Sequence, residues 1–329
     1  MSANPGGTNI LTITKTGKLP KPLDQTIREF VAHLEGEAER LKAFMGEEIE
    51  TRRKIAELVR EKFARGGPEM VSVTDMTLAN TGLRIRIYVP DHITAPGCML
   101  YLHGGGWVLF SIKTHDRLMR EYAHRAGCVV VGLDYSLAPE NQFPHQLEEI
   151  VTCINWLRAE GPEHGIPVEK LFLGGDSVGG NMSLSSAMIM RDTGAEELDG
   201  LLLNYAALDT EPRPSYELYD GPPYMLNGPE MAGFWKAYLG DIRTISPYAR
   251  PLLANKRGLP PVHMCVAECD ILVDENRELR NQLHEAGVEV SFELYAGASH
   301  SFLEAVSVSD IAEKAVQTGA DWLKKQLLK

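Results

Sequence analysis

The segment Leu171-Phe172-Leu173-Gly174-Gly175-Asp176-Ser177-Val178-Gly179-Gly180 runs from a short apolar stretch into a serine bracketed by glycines. The apolar residues at 171–173 predict a strand, and the small and apolar residues over 178–191 predict a helix directly behind it. So tight a turn forces the serine into a strained backbone conformation, and a glycine two residues to either side removes Cβ atoms that would collide with it. The hydroxyl of Ser177 is thereby held out above the sheet, as a nucleophile requires. Gly-x-Ser-x-Gly recurs by chance and alone describes a glycine-rich strand-to-helix turn equally well, so its surroundings decide.

Those surroundings alternate between two textures. Residues 98–102, 128–133, 201–204, 262–267 and 288–294 are short and apolar, and between or after them 114–126, 146–159, 275–286 and 310–328 carry helical spacing. Further upstream, 70–76 and 83–89 read as strands, the latter through its Leu-Arg-Ile-Arg-Ile-Tyr-Val alternation. Alternation of this kind predicts an α/β fold, a mostly parallel sheet with helices on both faces. Ahead of it, 23–63 is dense in Glu, Arg and Ala, with apolar residues at helical spacing from Ile27 to Val59, and Gly66-Gly67-Pro68 closes the stretch. One region breaks the rhythm. Residues 208–250 hold many prolines and aromatics and no strand pattern, which suits a lid or substrate pocket better than a plain loop.

Composition excludes several classes. A chain of 329 residues with 44% hydrophobic and 24% charged side chains is an ordinary globular protein with a sizeable core. Its formal charge of -12 repels phosphate backbones and anionic membranes, so neither nucleic acid nor membrane is expected as a partner. No apolar run approaches about 18 residues and residues 1–21 lack a signal-peptide core, so the expectation is a soluble, cytoplasmic protein. The five cysteines are an odd number and sit mostly in apolar runs, as reduced core thiols do. The closest pair, Cys265 and Cys269, has no further ligand at zinc spacing, and no metal is expected.

The chemistry needs more than a serine. His103-Gly104-Gly105-Gly106-Trp107 follows the strand at 98–102, and consecutive glycines let backbone N–H groups approach a developing oxyanion. Two N–H groups from Gly104, Gly105 and Gly106, with that of Val178 at the positive end of a helix, would form a three-donor oxyanion hole. A phosphate-cradling loop is the competing reading, but the Lys-Ser/Thr of a P-loop is absent. Downstream, Asp270 follows the strand at 262–267 and His300 follows the strand at 288–294, in the chain order serine, acid, histidine. In an open α/β sheet, reacting groups gather at the carboxyl ends of strands, so Ser177, Asp270 and His300 are the candidate catalytic residues. Asp274 and Glu268 remain alternatives for the acid. His103 reads as a structural loop residue.

These segments together resemble the hormone-sensitive lipase-like family of α/β-hydrolase serine esterases, bacterial branch. The resemblance runs from about residue 83 to the C-terminus. It rests on His103-Gly104-Gly105-Gly106, on Asp134-Tyr135-Ser136-Leu137-Ala138-Pro139-Glu140 with Phe143-Pro144, on Gly175-Asp176-Ser177-Val178-Gly179-Gly180, and on the surroundings of Asp270 and His300. Ser136 stands where the family usually has Arg, Val178 where it has Ala, Ile271 where Pro commonly follows the acid, and Ser301 where Gly follows the histidine; none removes a catalytic group.

The resemblance implies an α/β-hydrolase core of residues 65–205 and 247–329 beneath a helical cap of residues 1–64 and 206–246. It implies a carboxylesterase that needs no cofactor and takes a small-molecule ester, with a possible homodimer through the edge strand at 288–294. Aryl formamidases and amidases with the same triad are the alternative; a ligand receptor or an interaction protein has no need for the intact Ser177, Asp270 and His300. The expected substrate contacts are Trp107, Phe110, Tyr205, Tyr224 and Phe302. With Phe234, Trp235 and Tyr238 they suggest an apolar, crowded pocket for short to medium acyl chains. The 134–144 segment is expected to be structural, with a buried Asp and Glu holding backbone N–H groups.

Overall fold

The computed structural model describes residues 20–46, 48–79, 81–241 and 246–329. The apolar runs assemble into one eight-stranded sheet of β1 (Ser72–Thr77), β2 (Arg84–Val89), β3 (Cys98–Leu102), β4 (Val129–Asp134), β5 (Leu171–Asp176), β6 (Gly200–Asn204), β7 (Val262–Cys269) and β8 (Val290–Ser299). Their spatial order is β1-β2-β4-β3-β5-β6-β7-β8, with β1 and β2 antiparallel to their neighbours and the rest parallel. Every residue of β3, β5, β6 and β7 is buried, which is why these strands read as continuous apolar runs rather than alternating ones.

Right-handed crossovers then assign the helices to faces. The chain steps one way from β3 through α3 (Asp116–Ala126) to β4, and the opposite way through α4 (His145–Glu160) to β5, so α3 and α4 lie on opposite faces. The next helices, α5 (Val178–Thr193) and α8 (Val273–Glu285), follow the second direction, whereas the last, α9 (Asp310–Leu327), packs beside α3. The reversal of direction opens a crevice between the carboxyl ends of β3 and β5, the usual ligand position in such sheets. In register, Leu102 lies beside Gly175, so the loops after β3 and β5 begin side by side.

The segment before the sheet is helical, as its spacing predicts: α1 (Gln25–Met45) and α2 (Ile49–Ala64) pack on each other. Asp24 caps α1, accepting the N–H groups of Thr26 and Ile27, and its own N–H donates to the Gly297 carbonyl at 2.9 Å. The 206–246 insertion carries α6 (Pro214–Tyr219) and α7 (Gly228–Leu239) and no strand among its described residues. Of the expected cap, residues 1–19, 47 and 242–245 lie outside the described residues.

Two expectations need correction. The last strand was expected to end at 294 but runs to Ser299: Ala296, Gly297 and Ala298, which carry no apolar alternation, bulge between the Ala267–Tyr295 pair and the Cys269–Ser299 pair that resumes the ladder. In the 134–144 segment, neither Asp134 nor the exposed Glu140 accepts an N–H of the glycine loops among the described residues; they pair with the guanidinium groups of Arg84 and Arg53. The backbone role falls to Glu149 on α4, whose carboxylate accepts the Ser136 N–H at 2.8 Å and its hydroxyl at 2.6 Å.

Candidate active site

Ser177 sits between β5 and α5 with φ 56° and ψ -118°, the strained conformation expected of a serine on so sharp a turn. Its flanking glycines are sterically obligatory: a Cβ on Gly179 would stand 1.9 Å from the Leu102 carbonyl oxygen, and one on Gly175 would stand 2.5 Å from the Gly179 backbone. The hydroxyl lies 3.0 Å from Nε2 of His300, and Nδ1 of His300 lies 2.7 Å from Oδ2 of Asp270. An ionised Asp270 only accepts, so Nδ1 carries the proton and Nε2 faces the serine as an acceptor. The other Asp270 oxygen accepts the Leu272 N–H at 2.9 Å, which locks the carboxylate.

The rival acids are engaged elsewhere. Asp274 accepts the Ser215 N–H at 2.9 Å and pairs with Arg277, while Glu268 pairs with Lys21. Burial works against a charged imidazole at His300, but the charge and hydrogen bond of Asp270 outweigh it and raise the pKa above the usual histidine value. His103 is different. Burial and the neighbouring His115 push its pKa down to about 3 against the opposing pull of the hydrogen bond from Nδ1 to the Gly104 carbonyl, so the ring, stacked on Tyr135 at 4.2 Å, stays neutral.

The glycine loop reaches the same point from β3. The N–H groups of Gly104, Gly105, Gly106 and Val178 have no acceptor among the described residues. A side chain on Gly106, whose φ is 62°, would run into the Phe234 ring at 2.3 Å, and one on Gly104 would meet Asp176 Oδ2 at 2.4 Å. Asp176, part of the serine motif in the sequence, is a buried strut. It accepts the Tyr101 hydroxyl at 2.9 Å and faces Nε2 of His115 at 3.2 Å. Burial pushes its pKa up, yet His115 and Tyr101 more than offset this and hold it below the usual range. Arg53 on α2 was also missed: it donates to the carbonyls of Val108 and Ala138, both at 2.9 Å, and so clamps the glycine loop to the 134–144 segment. The available signal for both is that a buried charge demands partners, which does not say where they lie in the sequence.

Ser177 and His300 open into a cavity of about 220 Å³ lined by Gly105, Gly106, Phe110, Met231 and Phe234 among others. Phe110 is therefore where the sequence placed it; Trp107, Tyr205, Tyr224 and Phe302 are not on the wall. The Trp107 ring is fully buried, stacked on Tyr238 at 4.1 Å and tilted against Trp235 at 4.5 Å, because its φ of 60° turns it down into the core. Tyr205 packs its ring 5.1 Å from His300, Phe302 lies behind Tyr205, and the Tyr224 hydroxyl donates to the Lys21 carbonyl. The wall is also not purely apolar. Glu35, Lys42, Arg52, Arg60 and Glu230 line it, and Glu35, Arg52 and Glu230 have no ion-pair partner among the described residues. Burial raises the Glu230 pKa against the opposing pull of Arg52, Arg60, His300 and Lys42.

No group of three metal-ligand side chains gathers at Ser177 among the described residues. Among the described residues, Asp91, His92 and His124 bring three donor atoms within 4.8 Å of one another, but they lie exposed or half-exposed at the amino-terminal edge of the sheet. All five cysteines are buried and unpaired.

Comparison with known proteins gives a consistent picture. A model of the alpha/beta hydrolase fold matches residues 99–304. The acetyl esterase of Salmonella choleraesuis (strain SC-B67) is 33% identical over 280 residues, covering 83% of this chain and 86% of its own. The hyperthermophilic esterase of Pyrobaculum calidifontis superposes with a TM-score of 0.85 at 31% identity, over 94% of this chain and 100% of that one. An esterase of the bacterial hormone-sensitive lipase family superposes with a TM-score of 0.78 at 25% identity, over 91% and 98% of the two chains.

Proposed function

The chain belongs to the alpha/beta hydrolase family and is a carboxylic ester hydrolase of the hormone-sensitive lipase type, and on that premise we propose that it cleaves small esters of short acyl chains through an acyl-enzyme on Ser177. The observation that carries the reading is the hydrogen-bonded chain from Ser177 Oγ through His300 to Asp270, at 3.0 and 2.7 Å. His300 Nε2 takes the serine proton as Oγ attacks the ester carbonyl, then returns it to the leaving alcohol. Asp270 fixes the tautomer and stabilises the imidazolium. The unengaged N–H groups of the glycine loop and Val178 receive the oxyanion. Water, activated by the same His300, then releases the acid and frees Ser177.

Two further observations support a small substrate. The cavity of about 220 Å³ is below the roughly 300–1,000 Å³ of drug-sized ligand sites. The Salmonella relative is named an acetyl esterase. We assign the capping role to α1, α2 and the 206–246 insertion, since Leu34, Ile55, Met231 and Phe234 from these segments line the cavity that Ser177 opens into. Among the described residues no helix is long and apolar enough to cross a membrane, and buried thiols suit the reducing cytoplasm. Hydrolysis of p-nitrophenyl acetate and butyrate, with an aryl formamide in parallel, tests the reaction class. Rapid ester turnover, together with covalent labelling of Ser177 by a fluorophosphonate, is expected; faster turnover of the formamide, or labelling unchanged in Ser177→Ala, overturns it.

A further inference from the structure

Arg60 belongs to the helix pair outside the sheet, yet it is one of the most buried charges in the molecule. Its Nε lies 2.7 Å from Oε2 of Glu304, with side chains only 10% and 5% exposed. The N–H is not aimed at the oxygen, and neither Glu304 carboxylate oxygen receives any other hydrogen bond among the described residues. The contact is thus an ion pair held by charge, and among the described residues Arg60 is the only cation within ion-pair distance of Glu304.

Its neighbours explain why the site matters. Glu304 sits in the 3-10 turn Phe302–Ala305 that begins two residues after His300, and its N–H donates to the Ser301 carbonyl. On its other side the Arg60 guanidinium lies 4.0 Å over the Phe110 ring, the residue that closes the glycine loop. Phe110 in turn packs so tightly on Gly105 that a Cβ there would stand 2.7 Å from its ring. One side chain of α2 therefore touches both loops that meet at the serine.

We propose that Arg60 is a positioning residue, which neutralises Glu304 and holds the His300 loop and the glycine loop in working register, so that α2 is part of the catalytic apparatus rather than only its roof. This rests on the ester-hydrolase reading for its activity assay. Around His300 stand Asp270, Asp176, Glu304 and Glu230 as acidic groups, with the Tyr205 ring and Ser177 hydroxyl beside it, and His115, paired with Asp176 and in the field of Glu304 and Arg60, is the other titratable group of the cluster. Removing the Arg60 charge leaves Glu304 uncompensated beside the imidazole, which favours imidazolium. The acid limb of kcat/KM then moves to higher pH. Removing Glu304 instead leaves Arg60 uncompensated and moves the limb lower.

The test uses the full chain and follows kcat/KM for p-nitrophenyl acetate across pH, alongside the pH titration of the His300 Nδ1 proton by NMR, with thermal unfolding to verify folding. Arg60→Met is expected to raise the midpoint by about half a pH unit or more. Arg60→Lys should hold it at the wild-type value, and Arg60→Met/Glu304→Gln should bring it back towards that value. Glu304→Gln alone should lower it, which keeps the proposal testable if Arg60→Met does not fold. A folded Arg60→Met protein with an unshifted midpoint, a double variant that keeps the single variant's shift, or a Glu304→Gln protein with an unshifted midpoint overturns it. Absence of ester turnover in the wild-type protein would defeat the ester reading alone, because the NMR titration still reads the effect of Arg60 on His300.

Discussion

A proton on one nitrogen of His300 decides whether Ser177 is a nucleophile, and the consequences are measurable residue by residue. Because Asp270 raises the His300 pKa, imidazolium persists to higher pH than for a free histidine, and only the neutral ring accepts the serine proton. The acid limb of kcat/KM for a p-nitrophenyl ester is therefore expected above pH ~6.5, and a midpoint at or below that value would contradict the geometry. Ser177→Ala removes the attacking oxygen and should lower kcat by roughly 10⁴ to 10⁶ while leaving the melting temperature close to wild type. Asp270→Asn keeps the shape but reverses the tautomer, at a cost of roughly 10⁴ in kcat. Asp274→Asn is the control, since Asp274 serves the Ser215 N–H and Arg277; a greater activity loss there would reassign the acid. These three positions were legible in the sequence because each follows a strand, and strand ends converge whatever the loops do. Trp107 was legible only as an aromatic beside the glycines. Its φ of 60°, which sends the ring under the loop onto Tyr238, depends on a stacking partner from distant α7.

At the scale of elements, the sheet was readable for a physical reason. Strands buried on both faces must be apolar throughout, and β3, β5, β6 and β7 are. The tail of β8 was not, because Ala296, Gly297 and Ala298 form a bulge with no apolar alternation, and the Gly297 carbonyl is taken up by the Asp24 N–H from the distant start of α1. The base of the 206–246 insertion was also illegible, since it is fastened by charges from separate elements. Asp209 is buried and accepts Arg250 Nε at 2.6 Å and Arg213 Nη2 at 2.7 Å, and Arg213 continues to Glu278 on α8. The two ends of the insertion are thus tied to one carboxylate. Asp209→Ala leaves Arg213 with only the exposed Glu278 and Arg250 with only the exposed Glu211, and the loss of the buried carboxylate between them is expected to destabilise the protein by about 3 kcal/mol in denaturant unfolding. Although burial alone would raise the Asp209 pKa, Arg250 and Arg213 lower it overall. Its contribution is therefore present above the unfolded carboxylate pKa and is lost as pH falls through the lower folded value; stability of wild type and Asp209→Ala should converge in acid. Equal unfolding free energies at pH 7 would show that the clamp does not fasten the insertion.

For the whole molecule, the cavity is where three distant segments meet: the N-terminal helices, the insertion and the loops of the sheet. Its chemistry was hidden from the sequence, because no local pattern distinguishes a glutamate on a solvated helix face from one turned inward. Glu35 and Lys42 on α1, Arg52 on α2 and Glu230 on α7 look like ordinary surface charges until α1, α2 and α7 fold over Ser177. Their presence sharpens the dependence on acyl length. A growing chain gains about 0.8 kcal/mol per buried methylene, close to fourfold in kcat/KM, while it runs along Phe110, Met231 and Phe234. Once it reaches the charged part of the wall it strips water from groups that have no ion partner, and in a space of about 220 Å³ it also begins to overpack, at about 1–3 kcal/mol. Gain and cost then change places within a few methylenes. For a p-nitrophenyl series, kcat/KM is expected to rise from acetyl to about butyryl or hexanoyl and to fall by decanoyl at least tenfold below its maximum, with triglyceride emulsions scarcely hydrolysed. Glu230→Leu, which removes a charge from the wall, should move the maximum towards longer chains. A monotonic rise through dodecanoyl in the wild-type protein would mean that α1, α2 and α7 part to expose a long groove, and that chain length is not set by the cavity walls.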